Sequence, residues 1–144
     1  LMGKRRSSRE LTLKFLYQSE MNKGNIEEQM KIFIERNSSH GEVEDFMESL
    51  VKSIYKEMGE IDKIIQECSD NWILDRMTVI DRNILRMGTC ELLFDFLTPP
   101  KVVINEAIDI AKKYGNEDSP EFINGILDKI HKKIGHKGIL PLPI

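Results

Sequence analysis

Apolar positions recur at three- and four-residue intervals along almost the whole chain, the spacing that lines up side chains on one face of an α-helix. The run Val43, Phe46, Met47, Leu50, Val51, Ile54, Tyr55 and Met58 keeps that spacing without interruption. It predicts a helix closed by Gly59, a residue suited to the left-handed position just past a helix end. Before it, Asn25 with Glu28 three positions on reads as a cap and acidic first turn for a helix through about Arg36, closed by the polar turn "NSSHG". After it, Ile61, Ile64, Ile65 and Cys68 mark a short amphipathic helix that stops at "SDN".

In the second half, Thr78 with Asp81 caps the segment "TVIDRNILRMGTCELLFDFL". Its Ile80, Ile84, Leu85, Met87, Leu92 and Leu93 spread over more than one face, which predicts a central position in a bundle. Pro99-Pro100 cannot continue that helix. Val103, Ala107, Ile110, Ala111 and Tyr114 define the next one, closed by Gly115. The last starts with Ser119 as cap and Pro120 at the first helical position, where a missing N–H costs nothing, and runs through Ile123, Ile126, Leu127, Ile130 and Ile134 to Gly135. With a helix beginning near Ser7, the pattern gives about seven helices and no strand. The expected fold is all-α: one domain over residues 7–135, built as two packed helical subdomains. Residues 136–144, "HKGILPLPI", have two prolines and no periodicity and are expected to form a flexible tail.

A chain of 144 residues is long enough to bury a core. It has no apolar run near the roughly 18 to 20 residues of a membrane span, and its basic start is not followed by the apolar stretch of a signal peptide. A cytoplasmic protein with no membrane partner is therefore expected. Charge alters the picture more. Residues 1–9 and 129–137 each carry four cations and no acid, so the formal net charge of −3 leaves −11 on residues 10–128. Such a body repels polyanions over most of its surface, while its basic ends either attract one locally or are simply solvated.

Candidate chemistry is sparse. His40, His131 and His136 lack metal-binding spacing, and no phosphate-cradling glycine motif is present. Cys68 and Cys90 have no CxxC partner and read as reduced, buried, small hydrophobes. No catalytic residue, metal or cofactor is assigned, and a non-enzymatic protein is expected.

The stretch "GKRRSSREL" crowds Lys4, Arg5, Arg6 and Arg9 at a helix start, where the dipole disfavours cations. Ser7 and Glu10 match the S-x-x-E capping box, which places the helix start at Ser7 and leaves residues 1–6 as a basic arm able to follow another molecule. Arginine's planar fork suits phosphate and stacks on bases. Tyr17, eight residues beyond Arg9, either extends a cation-plus-aromatic strip suited to single-stranded nucleic acid or is half-buried core beside Leu13, Phe15 and Leu16.

The segments "WILDRMTVIDRNILRMGTCELLF" and "PPKVVINEAIDIAKKYGNEDSPEFINGILDKI", with the start "RRSSRELTLKFLYQSE", closely resemble the NusB family of transcription antitermination factors over nearly the whole chain. The resemblance implies an all-α fold of two helical subdomains. It implies binding to boxA-type RNA, especially in ribosomal RNA operons, with the ribosomal protein NusE and with other Nus factors on RNA polymerase. It also implies an RNA surface of Lys4, Arg5, Arg6, Arg9, Tyr17, Asp118 and Phe122. The arginines would take phosphate and the aromatic rings would stack on unpaired bases. Asp118 would accept from base N–H groups, cap the last helix beside Ser119, or do both. A NusE-facing strip is expected at Asp75, Arg76, Asp81, Arg82 and Arg86, with Asp75, Arg82 and Arg86 on a similar side if their helix starts early enough and Asp81 also open to a capping role. Glu106 is expected as a buried polar contact, and Asn124 with Gly125 as a close helix approach.

Ser7 and Ser8 stand where relatives often carry a further basic residue and alanine, and Pro120-Glu121 replaces the usual His-Lys. Both departures predict weaker RNA binding by the chain alone. The alternative is a homodimeric helical interaction module with solvated basic ends.

Overall fold

The structure, a computed structural model, describes residues 2–37, 41–95 and 97–136. Seven α-helices and one short 3-10 turn account for the regular elements among them: α1 Met2–Met21, α2 Ile26–Asn37, α3 Gly41–Lys56, α4 Met58–Cys68, the turn Leu74–Arg76, α5 Val79–Phe94, α6 Pro100–Tyr114 and α7 Ser119–His136. The fold is all-α, as the apolar spacing predicts. The "SSH" of the predicted polar turn and all but the first residue of the predicted tail lie outside the described residues. No helix among the described residues is long and apolar enough to cross a membrane. The chain divides into two compact units, residues 1–56 and 57–144.

In the first unit, α1 packs along α3 and also meets α2. Phe15, Met30, Phe33, Met47 and Val51 form its buried core, and the Phe15 and Phe33 rings meet edge to face at 5.5 Å. Two hydroxyls tie α1 to α3. Ser8 Oγ donates to the carbonyls of Val43 at 2.9 Å and Lys4 at 3.0 Å, and Ser19 Oγ lies 2.6 Å from the Tyr55 hydroxyl. Asn25 caps α2 as its sequence position predicts, its Oδ1 accepting from the Glu28 N–H at 3.0 Å.

The second unit is built around α5, which packs against α4, α6 and α7. Thr78 is its N-cap and accepts from the Asp81 N–H. Two boundaries differ from the sequence reading. Gly59 does not close a helix but lies in the first turn of α4, which starts one residue after a break at Glu57 (φ −107°, ψ 20°). The buried face of Ile61, Ile65 and Cys68 extends the helix back over the glycine, and the Ile61 N–H already bonds the Glu57 carbonyl at 2.9 Å. Helix α5 stops at Phe94, short of the prolines. There the Asp95 carboxylate accepts from the Leu97 N–H and the Thr98 hydroxyl, forming a side-chain turn that competes with another helical turn. Pro99 and Pro100 instead begin α6.

The close helix approach is at Gly88, not Gly125. A Cβ on Gly88 would lie 2.9 Å from Cδ1 of the fully buried Leu127, whereas one on Gly125 would meet open space. Gly88→Val is expected to lower stability by about 1–3 kcal/mol through overpacking. Gly125→Ala is expected to raise it by roughly 0.5–1 kcal/mol through helix propensity. Urea midpoints of the two variants check this, and a stabilised Gly88→Val would refute the α5–α7 contact.

Candidate nucleic-acid interface

Residues 2–6 are not an extended arm. They are the first turns of α1, so Ser7 is not an N-cap. The capping-box pattern is local to α1, whereas the cations are accommodated by α3. Lys4 Nζ lies 3.4 Å from the Glu42 carboxylate, and the Arg5 guanidinium carbon sits 4.0 Å from the Phe46 ring centroid. Arg9, one turn on, lies 5.5 Å from the same ring. A guanidinium over an aromatic face gains about 0.5–1 kcal/mol when exposed and more when desolvated. Phe46 was legible only as part of α3's apolar face. The missed signal is a pair of arginines at i and i+4 facing an aromatic on the neighbouring helix.

The four cations are therefore not equivalent. Lys4 and Arg5 are exposed, Arg6 is half-buried, and Arg9 is only 3% exposed. Arg9 is thus a buried cation beside Phe46 rather than a surface cation. Tyr17 is 43% exposed while Leu13, Phe15 and Leu16 are buried, so the core alternative for Tyr17 does not hold. The cation-plus-aromatic strip that the spacing of Arg9 and Tyr17 permits does not include an exposed Arg9, because that side chain is buried beside Phe46.

In the second unit, Asp118 and Phe122 stand at the start of α7. Asn116 performs the capping expected of Asp118 and Ser119: its Oδ1 accepts from the N–H groups of Asp118 at 2.9 Å and Ser119 at 3.1 Å. Ser119 Oγ in turn accepts from the Asn116 N–H at 3.0 Å. The Asp118 side chain is left exposed. Phe122 is half-buried, its ring edge to face with Trp72 at 5.6 Å.

The proposed partner strip separates into surface and interior. Asp75 and Arg76 are exposed on the 3-10 turn; because α5 begins only at Val79, Asp75 does not share a helix with Arg82 and Arg86. Asp81 is 7% exposed. Arg82 donates to the Met77 carbonyl at 2.7 Å. Arg86 grips Asp62 of α4 bidentately, at 2.9 and 3.1 Å, so it braces α4 against α5. Glu106 is buried, as its position in "VINEAI" suggested.

Neither cysteine offers a nucleophile. Burial pushes the Cys90 thiol up to about 12, with Glu91 adding to the rise, and burial raises Cys68 as well. Among the described residues no group of three His, Cys, Asp or Glu side chains is arranged to hold a metal ion.

Fold and surface together define an all-α protein that presents basic and aromatic side chains from helix surfaces. The chain belongs to the NusB family, whose model matches residues 6–132. The transcription antitermination protein NusB of Trichlorobacter lovleyi is 43% identical over 129 residues, covering 90% of this chain and 91% of the relative. That of Geobacter sulfurreducens is 41% identical over 138 residues, covering 95% and 100%. Among solved structures, T. maritima NusB superposes with a TM-score of 0.83 at 36% identity, over 90% of this chain and 91% of its own. A crystal structure of antitermination factors NusB and NusE in complex with dsRNA gives a TM-score of 0.83 at 29% identity, over 92% and 99%.

Proposed function

We propose that this chain is a non-enzymatic transcription antitermination factor that binds boxA-type single-stranded RNA together with NusE. In this reading it suppresses premature termination, especially in ribosomal RNA operons, in assembly with other Nus factors and RNA polymerase. The observation that carries the reading is the Arg5–Phe46–Arg9 stack, which holds an exposed guanidinium at the basic end of α1 in a member of this family. Support for NusE and RNA as partners also comes from the related NusB, whose crystal structure contains NusE and dsRNA.

Lys4, Arg5 and Arg6 contact phosphate, and Arg9 helps to hold Arg5 in place. Tyr17 and Phe122 stack on bases, and Asp118 accepts from base N–H groups. Stacking on these rings requires unpaired bases, which favours a single strand over a duplex. Asp75 and Arg76 of the 3-10 turn and Arg82 of α5 face NusE. Asp81 and Arg86 shape the helix behind them.

Fluorescence anisotropy of a labelled boxA strand, a scrambled strand and a duplex, each with and without NusE, tests the proposal. The boxA strand should bind most tightly, and more tightly still with NusE. Equal binding of all three RNAs, indifferent to NusE, contradicts it. In the same assay Phe46→Leu should weaken binding about two- to fivefold, the cation–π contribution of an exposed pair, while Phe46→Tyr retains it.

A further inference from the structure

We propose that Trp72 is an RNA-stacking residue whose indole, held edge to face against Phe122, receives an unpaired base; this rests on the RNA-binding reading above. Tryptophan is usually largely buried, yet Trp72 is 58% exposed. The backbone that carries it is held firmly. The Trp72 carbonyl accepts from Gln66 Nε2 at 2.7 Å and from Ser69 Oγ at 2.8 Å. Its N–H donates to the Ser69 carbonyl at 3.0 Å, and Gln66 Oε1 accepts from the Leu74 N–H at 3.0 Å. Asp70, at φ 54°, makes the left-handed bend that closes this turn. A mostly exposed indole on a pinned turn loses little conformational freedom when something stacks on it.

The surroundings favour nucleic acid over a protein partner. Phe122, Lys129 and Lys133 stand seven and eleven residues apart on α7, within roughly 20° of one line along the helix at about 100° per residue. Both lysines reach toward the segment that precedes Trp72: Lys129 to Asp70 at 2.6 Å and Lys133 to Glu67 at 2.7 Å. These pairs are exposed and therefore weak, so their ammonium groups can turn to phosphate at small cost. Two aromatic rings flanked by two cations form the mixed surface that takes up a single strand, by stacking on its bases and drawing its backbone.

Because the chain has one tryptophan, its fluorescence reports on Trp72 alone. Titrating the full chain with a single-stranded boxA oligonucleotide should quench that emission in step with the rise in anisotropy of a labelled strand. Trp72→Leu, which keeps an apolar contact for Phe122, should lower affinity about tenfold, and Trp72→Phe should restore most of it. Neither should change the salt slope, since stacking releases no counterion. RNA binding without quenching, or with the affinity of Trp72→Leu unchanged, would overturn the proposal while leaving the RNA-binding reading intact. Quenching by NusE but not by RNA would overturn it in favour of a protein contact. Failure to bind RNA at all would overturn both.

Discussion

Replacing Lys4, Arg5 and Arg6 together by alanine is expected to weaken binding of boxA RNA by roughly 10- to 100-fold near physiological salt. It should also flatten the dependence of log affinity on log salt by about 2, since each phosphate contact to a single strand contributes about 0.7. The fold should survive. Lys4 and Arg5 are exposed, the Lys4–Glu42 pair is of the surface kind worth about 0–1 kcal/mol, and alanine is the best helix former. Arg9→Ala is expected to behave differently. Its side chain is buried beside Phe46, so the substitution should cost stability in the first unit and leave the salt slope nearly unchanged. Anisotropy titrations at several salt concentrations, with circular dichroism as the control for folding, separate the two effects. An unchanged slope in the triple variant would remove α1 from the RNA surface.

The largest loss of stability is expected from Phe15→Ala. Phe15 is 1% exposed at the centre of the first unit's core and meets Phe33 edge to face. Deleting a buried phenylalanine costs about 3–5 kcal/mol, and the ring pair accounts for about 0.5–1.5 kcal/mol of interaction beyond simple burial. That is a large fraction of the roughly 5–15 kcal/mol that holds a typical domain together. Urea denaturation of the variant measures it. A loss below about 1 kcal/mol would mean that the cluster of Phe15, Phe33 and Met47 is not the core of this unit.

Much of the fold is legible in the sequence because the information is local. The Asn25 and Thr78 caps, the number of helices and the central position of α5 follow from side chains that act within a turn or two of their own backbone. What a single helix cannot reveal is the partner across the interface. Helix α1 starts earlier than its capping-box pattern predicts because Phe46 and Glu42, on another helix, accommodate its cations. Gly59 and Gly125 would each tolerate a Cβ, whereas inside a helix the glycine whose Cβ would collide is Gly88, and only the approach of Leu127 reveals it.

The candidate site follows the same division. Arg5, Tyr17 and Asp118 are exposed where the resemblance expected surface residues. Arg9 and Arg86 are arginines in the same stretches, but one lies beside an aromatic ring and the other grips Asp62. Sequence spacing places a charged residue on a face of its helix. Whether that face is open depends on residues far away in the chain. Trp72 carries no local signal for the converse reason, since its contact with Phe122 joins segments about fifty residues apart.

The most direct measurement is transcription through a terminator placed downstream of a boxA element, with RNA polymerase, NusE and the other Nus factors present. Adding the wild-type chain should raise read-through, and the Lys4, Arg5, Arg6 triple alanine variant should not. Read-through that is the same with or without the wild-type chain, or on a template with boxA scrambled, would contradict the assignment.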